Sequence, residues 1–280
     1  MEKLFFHLTI GILLMSCSTQ SKETEQPSEV PPPTRISMET TLGEIIIELS
    51  DKTPLHRDNF VSFVEEGAYD SLLFHRVIEG FVVQGGDPDS KNAEPGVALG
   101  YGSRDYMTPA EFDTTLFHKR GALGAARDGN PERSSGAMQF YFVQASKPLA
   151  DSTLDKAEER INGWLKDHYS LKAPENKLWY DSVASLMVNE NYEGFRAISD
   201  TIKSLAEDFS DFETYTIPEA HRAVYRETGG TPFLDQNYTV FGEVISGMAV
   251  IDSIAAQPVD ESISHRPLED VRILSAKVIE

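Results

Sequence analysis

The sequence predicts a mainly β protein interrupted by a block of helices, and three observations carry that prediction. Strand-like runs lie toward both ends of the chain, as in Glu44-Ile45-Ile46-Ile47-Glu48-Leu49 and Tyr238-Thr239-Val240-Phe241-Gly242-Glu243-Val244. Between them, roughly residues 148–228 are rich in Glu, Asp, Lys, Leu and Ala and show no strand alternation. Inside that block apolar residues recur at helical spacing instead.

The elements follow in order. Lys3 and the apolar run Leu4–Met15 form a secretory pattern, which sets residues 1–16 apart as a signal peptide. The run is shorter than the roughly 20 apolar residues a membrane-spanning helix needs. The single cysteine, Cys17, follows Leu14-Met15-Ser16. That tetrapeptide resembles the lipobox of bacterial lipoproteins, and the resemblance implies that Cys17 is lipidated and begins the mature chain. The plain alternative is a cleaved signal with an incidental cysteine. Residues 17–34 are polar, Pro-rich and free of aromatics, the composition of an extended tether.

Strands come next at Ile36–Met38 and Glu44–Leu49, then a helix opened by Thr53-Pro54, with Phe60, Phe63 and Val64 on its buried stripe and Gly67 at its end. Strands are predicted over Phe74–Gln84 and Gln139–Gln144. Two helical stripes then appear, Leu154, Ala157, Ile161, Leu165 and His168, and Phe195, Ile198, Ile202 and Leu205. With Pro174 and Pro218 between stripes, the block reads as three or four helices. A helix over Met248–Ala255 and a strand over Val271–Val278 close the chain. The domain organisation is thus a β unit of residues 35–147 and 229–280 split by a helical insertion, 148–228.

Composition narrows the function. A formal charge of −20 with no basic stripe disfavours nucleic acid as a partner, because phosphate backbones are bound mainly by Lys and Arg. His, Asp and Glu are scattered without ligand spacing, so no metal and no cofactor are expected.

Residues 74–88 read Phe-His-Arg-Val-Ile-Glu-Gly-Phe-Val-Val-Gln-Gly-Gly-Asp-Pro. A guanidinium and an amide on an otherwise apolar strand do not look like ordinary core. The run resembles the active-site strand of the cyclophilins, which implies rotation of the peptide bond before proline. Rotation there faces roughly 18–20 kcal/mol, because the nitrogen lone pair is delocalised into the carbonyl. Exchange takes on the order of tens to hundreds of seconds uncatalysed. A fixed donor aimed at the prolyl nitrogen, beside an apolar pocket for the ring, favours the twisted state. Arg76 stays charged and supplies such a donor. The apolar candidates for the pocket are Phe81, Val82, Tyr141, Phe233 and Leu234.

Phe74–Asp87 carries that resemblance, and the cyclophilins are peptidyl-prolyl cis-trans isomerases. Leu123–Arg127, Gln139-Phe140-Tyr141, Phe233-Leu234-Asp235 and Tyr238–Gly242 resemble further cyclophilin segments in the same order. The resemblance covers about 165 of the 280 residues. It implies a closed antiparallel eight-stranded β-barrel flanked by two helices. It implies a catalytic set of Arg76, Phe81, Gln84, Gln139 and Tyr141, and a substrate groove made by Val82, Ala126, Arg127, Phe233, Leu234 and Tyr238. The chain departs from the family at Val82, Ala137-Met138, Phe233 and Tyr238, which weakens the expectation of tight cyclosporin binding.

The expected role is isomerisation of X-Pro bonds in proteins of the bacterial cell envelope. The expected state is a monomer anchored by lipid to a membrane, on its periplasmic or outer-membrane face. A chaperone that binds proline segments without turnover is the alternative from another class, and a surface lipoprotein built for host contact is a third. His75 and His118 read as structural, and Ser134-Ser135-Gly136 as a loop.

Overall fold

The computed structural model describes residues 32–189 and 191–279. The signal, Cys17 and the tether as far as residue 31 lie outside the described residues. Strands β1 (Arg35–Thr40) and β2 (Gly43–Leu49) form a hairpin. Alternate side chains of a strand point to opposite faces. Ile36, Met38 and Thr40 are accordingly buried on β1, and Ile45, Ile47 and Leu49 on β2. Helix α1 (Pro54–Glu65) starts on Pro54 and buries His56, Phe60, Phe63 and Val64.

The chain then forms β3 (Arg76–Ile78), β4 (Val82–Gly85), β5 (Met107–Thr108), β6 (Ala122–Ala125), β7 (Ser135–Gly136) and β8 (Phe140–Val143). Four helices follow: α2 (Asp151–Lys172), α3 (Lys177–Val188), α4 (Tyr192–Ala206) and α5 (Glu219–Thr228). Last come β9 (Val240–Ser246), α6 (Met248–Ala255), β10 (Val259–Asp260), β11 (Arg266–Pro267) and β12 (Ile273–Ile279). The main sheet is eight-stranded, in the order β12-β1-β2-β9-β6-β8-β4-β3.

The expected closed barrel is corrected to a curled half-barrel, because the edge strands β3 and β12 do not pair. Two local features keep them apart. Beside β3 runs the turn before β11, so that Val77 N donates to His265 O at 3.0 Å. Toward β12 the neighbour is the irregular segment 71–74, which begins on Ser71 at φ 72°. It supplies only an isolated bridge, Leu73 to Arg272, and single bonds such as Phe74 N to Val271 O at 2.9 Å.

The sheet carries two apolar clusters on opposite faces of its central strands. Val77, Val83, Leu123, Phe140 and Phe142 join α1 and α6 in the main core. Val82, Ala122, Tyr141 and Val143 face the other way, toward Leu234 and Trp164. This second face carries the site. The helical block touches it through α2, on which Leu154, Ala157, Ile161 and Leu165 are buried as their spacing predicts. His168 is not: the distal end of α2 packs on α3 and α4 through Leu171, which turns His168 to a half-exposed position. The second stripe, on α4, is half-buried throughout. Trp164, Trp179 and Tyr180 are half-buried, and the side chain of Tyr192 lies outside the described set.

Candidate active site

Strand register assembles the site. Arg76 on β3 is paired with Gln84 on β4, Gln84 with Tyr141 on β8, and Tyr141 with Gly124 on β6. Cross-strand partners share a face of the sheet, so these residues form one row across four strands. His75, one position away, goes to the opposite side and is buried. The row floors a hollow of ≈ 280 Å³ lined by Arg76, Phe81, Val82, Gln84, Ala126, Arg127, Tyr141, Leu234 and Tyr238.

An ordered chain of amides ends at the cation. Gln139 Nε2 donates to the carbonyls of Gly100 (3.0 Å) and Gly102 (2.8 Å). Gln139 Oε1 accepts from Gln84 Nε2 at 3.0 Å, and Gln84 Oε1 accepts from Arg76 Nη1 at 3.1 Å. Each dipole in such a chain reinforces the next. Arg76 is half-buried, its guanidinium 5.7 Å from the centre of the Phe81 ring. Among the described residues no carboxylate stands within ion-pair distance of it. Burial pushes its pKa down, because nothing close by compensates the lost hydration except the weaker influence of Tyr238. A cation held this way, with donors left over, can stabilise negative charge or a lone pair placed in the hollow.

The walls differ in how they are held. Gly124 leaves room for the Tyr141 ring: a Cβ there would stand 2.3 Å from Tyr141 Cζ. Burial raises the Tyr141 pKa well above its ordinary value, so the phenol stays neutral. Arg127 lies 4.9 Å from the Tyr238 ring centre and donates through Nε to Asn237 O (2.8 Å) and through Nη2 to Asn237 Oδ1 (2.5 Å). It braces the segment carrying Tyr238. Ala126, expected in the substrate groove, lines the hollow, while its backbone is engaged inside the protein, with its N–H on Gln139 O and its C=O accepting from Gly136 N.

Phe233 does not line the hollow. It stacks behind Phe81, with ring centres 5.7 Å apart, and Arg160 of α2 covers it at 4.8 Å. Gln139 likewise stands one bond behind the hollow. The sequence reading took His118 as structural and gave Asp235 and Tyr225 no part in the site. His118 Nε2 is 2.8 Å from Tyr141 Oη, and its Nδ1 is 2.8 Å from Asp235 Oδ1; Tyr225 Oη donates to Asp235 Oδ2 at 2.8 Å. The available signal was Tyr141 itself, because a phenol on an apolar strand needs a partner when buried.

A second polar cluster, on the main-core face, brings Ser135, His56 and Glu111 together. His56 Nε2 lies 3.0 Å from Ser135 Oγ, and its Nδ1 lies 2.7 Å from Glu111 Oε2. Ser135 is wholly buried in β7 rather than in a loop, and Glu111 also accepts from the Leu55 and His56 N–H groups. The carboxylate therefore caps α1, whose own N-cap residue Thr53 makes no side-chain cap bond. This serine is a latch with no route to a substrate.

The model of the cyclophilin type peptidyl-prolyl cis-trans isomerase family matches residues 35–160 and 224–278. The chain belongs to this family. It is an enzyme of the peptidyl-prolyl cis-trans isomerase class, and α3 and α4 fall between the two matched stretches, into which α2 and α5 partly extend. A Staphylococcus saprophyticus protein named as a peptidyl-prolyl cis-trans isomerase is 29% identical over 250 residues, 88% of this cyclophilin and 92% of the relative. A Staphylococcus haemolyticus protein of the same name is 29% identical over 245 residues, 87% and 90% of the two chains. A Streptococcus pyogenes protein named as a bifunctional phosphatase and peptidyl-prolyl cis-trans isomerase is 28% identical over 250 residues; the match spans 88% of this chain and 39% of the relative. The crystal structure of a Cryptosporidium parvum cyclophilin aligns with TM-score 0.51 at 17% identity, over 89% of this chain and 99% of the other, which shows the shared fold.

Proposed function

We propose that X-Pro bonds turn in the Arg76 hollow. The carrying observation is a half-buried guanidinium with one hydrogen bond to Gln84 and, among the described residues, no carboxylate partner, beside an apolar recess. The proline ring sits against Phe81, Val82, Leu234 and the face of Tyr141, with Tyr238 at the rim. Arg76 donates to the prolyl nitrogen as its lone pair localises, a state that gains most from a fixed donor in a site sheltered from water. Gln84 and Gln139 orient Arg76, Arg127 steadies Tyr238, and Phe233 backs Phe81. No bond is broken, so the residues of the row suffice.

The substrates on this reading are proline-containing segments of folding envelope proteins. The protein works as a lipid-anchored monomer in the bacterial envelope, on the periplasmic or outer-membrane face. Lys3, the Leu4–Met15 run and Leu14-Met15-Ser16-Cys17 support that placement. Cys17→Ser is expected to move the protein from the detergent phase to the aqueous phase on partitioning. Retention of the variant in detergent would remove the anchor from the account.

Exchange NMR on a short X-Pro peptide tests the chemistry. Arg76→Ala is expected to lower kcat/KM by a factor on the order of 10²–10³, the usual effect of deleting one transition-state donor. Equal rates for wild type and variant would remove Arg76 from the mechanism.

A further inference from the structure

Tyr141 is gripped at two places, and one grip leads out of the sheet. Its ring lies on the Gly124 backbone, and its hydroxyl meets His118 Nε2 at 2.8 Å. Asp235 Oδ1 accepts from the His118 backbone N–H at 2.9 Å and sits 2.8 Å from His118 Nδ1, while Oδ2 accepts from Tyr225 Oη at 2.8 Å. An ionised carboxylate only accepts hydrogen bonds. In a neutral imidazole Nδ1 then carries the ring hydrogen, which leaves Nε2 to accept from the Tyr141 hydroxyl. Every donor in the series has an acceptor. Relative exposures are 5% for Tyr141, 0% for His118, 2% for Asp235 and 0% for Tyr225, so water is not on hand to replace a missing member.

Tyr225 belongs to α5, the last helix of the block between β8 and β9. The junction is tight. A Cβ on Gly230, at φ 136°, would stand 2.4 Å from His118 O and 2.6 Å from Tyr225 Cε1. Thr231 N donates to His118 O at 2.8 Å, and Phe117 stacks on His221 of α5 with ring centres 3.8 Å apart. Helix α5, the strip around His118 and the turn carrying Leu234 and Asp235 thus move together or not at all. A phenylalanine would serve equally well as an apolar wall; the hydroxyl at 141 is what ties that wall to this assembly.

We propose that His118, Asp235 and Tyr225 are positioning residues for the isomerase, through which α5 fixes the tilt of the Tyr141 ring and hence the shape of the proline recess. The proposal rests on reading the Arg76 hollow as the isomerase site. It makes the helical block part of the catalytic apparatus, acting from behind the wall rather than by touching substrate.

Tyr225→Phe deletes only the outermost hydroxyl and keeps the ring. One hydrogen bond sets its expected loss at roughly twofold to tenfold in kcat/KM, with a lowered melting temperature because a buried Asp235 oxygen loses its donor. His118→Leu is expected to lose more, because it strands the Tyr141 hydroxyl. Adding Tyr141→Phe to His118→Leu is expected to recover only the part due to the stranded hydroxyl and to leave the loss of the tie itself, so that the two changes do not add, a coupling that independent sites do not show. Flipping of the Tyr141 ring, followed by aromatic NMR, is expected to quicken in Tyr225→Phe. Wild-type kcat/KM together with an unchanged flip rate in Tyr225→Phe overturns the proposal, even if His118→Leu fails to fold. Should wild type and every variant leave X-Pro bonds untouched, the reading of the hollow fails; the flip rates still decide whether α5 governs Tyr141.

Discussion

The Arg76 row and the His56 cluster both set charges and polar atoms among apolar strands, yet one is open and the other sealed. Around His56 each polar group finds a partner inside the protein: Ser135, Glu111 and two backbone N–H groups at the start of α1. Around Arg76 the amides of Gln84 and Gln139 satisfy one another in sequence, and the cation at the end keeps donors facing a hollow. Residue chemistry alone does not separate the two, since a Ser–His–Glu array looks the more reactive of them. Access and unfinished hydrogen bonding separate them. A satisfied, buried array holds the fold, whereas an unsatisfied cation beside an opening is poised for a ligand.

Four changes sharpen or break that contrast. Arg76→Lys keeps the charge and removes the planar fork, so kcat/KM is expected to fall by about tenfold to a hundredfold. A lysine enzyme as fast as wild type would mean that charge alone suffices.

His75 is the next largest case: sealed like His56, but with neither ring nitrogen bonded among the described residues. Burial lowers its pKa to about 4, with Asp87 pulling the other way and Arg76 adding to the fall. The unfolded chain therefore binds a proton near pH 6.5 that the folded chain refuses until about pH 4. The stability involved is fully present above about pH 6.5 and drains as pH falls toward 4, by roughly 3 kcal/mol in all. Urea midpoints at pH 7 and pH 4.5 are expected to differ less in His75→Leu than in wild type. Parallel pH curves for the two proteins would contradict this.

Glu111→Ala is expected to cost about 2–3 kcal/mol by uncapping α1 and stranding His56. The kcat/KM of the folded fraction should stay as it was. Gly124→Ala forces a methyl into the Tyr141 ring and should cost about 1–3 kcal/mol as overpacking, with a raised KM. An alanine enzyme with unchanged KM would show that the ring can yield without reshaping the recess.

Much of this was legible in sequence, and the illegible part has a pattern. Arg76, Gln84 and Tyr141 stand out as polar atoms on apolar runs. Their alignment into one row depends on register, which the separate strands do not reveal. Helix α6 falls at Met248–Ala255 as its apolar spacing predicts. The closed barrel did not survive, because its seam depends on the Ser71 backbone and on the turn at His265 rather than on residue type. Phe233 was placed on the proline, but the stacking that sets it behind Phe81 is a tertiary fact. His118, Asp235 and Tyr225 share no spacing; only the fold brings them to Tyr141.

The most direct test measures Arg76→Ala and Glu111→Ala in one X-Pro peptide assay, with rates corrected for the folded fraction by urea denaturation. The expected result is a collapse in kcat/KM with near wild-type stability for Arg76→Ala, and lowered stability with undiminished kcat/KM for Glu111→Ala. Loss of turnover in Glu111→Ala with full turnover in Arg76→Ala would put the chemistry in the wrong cluster.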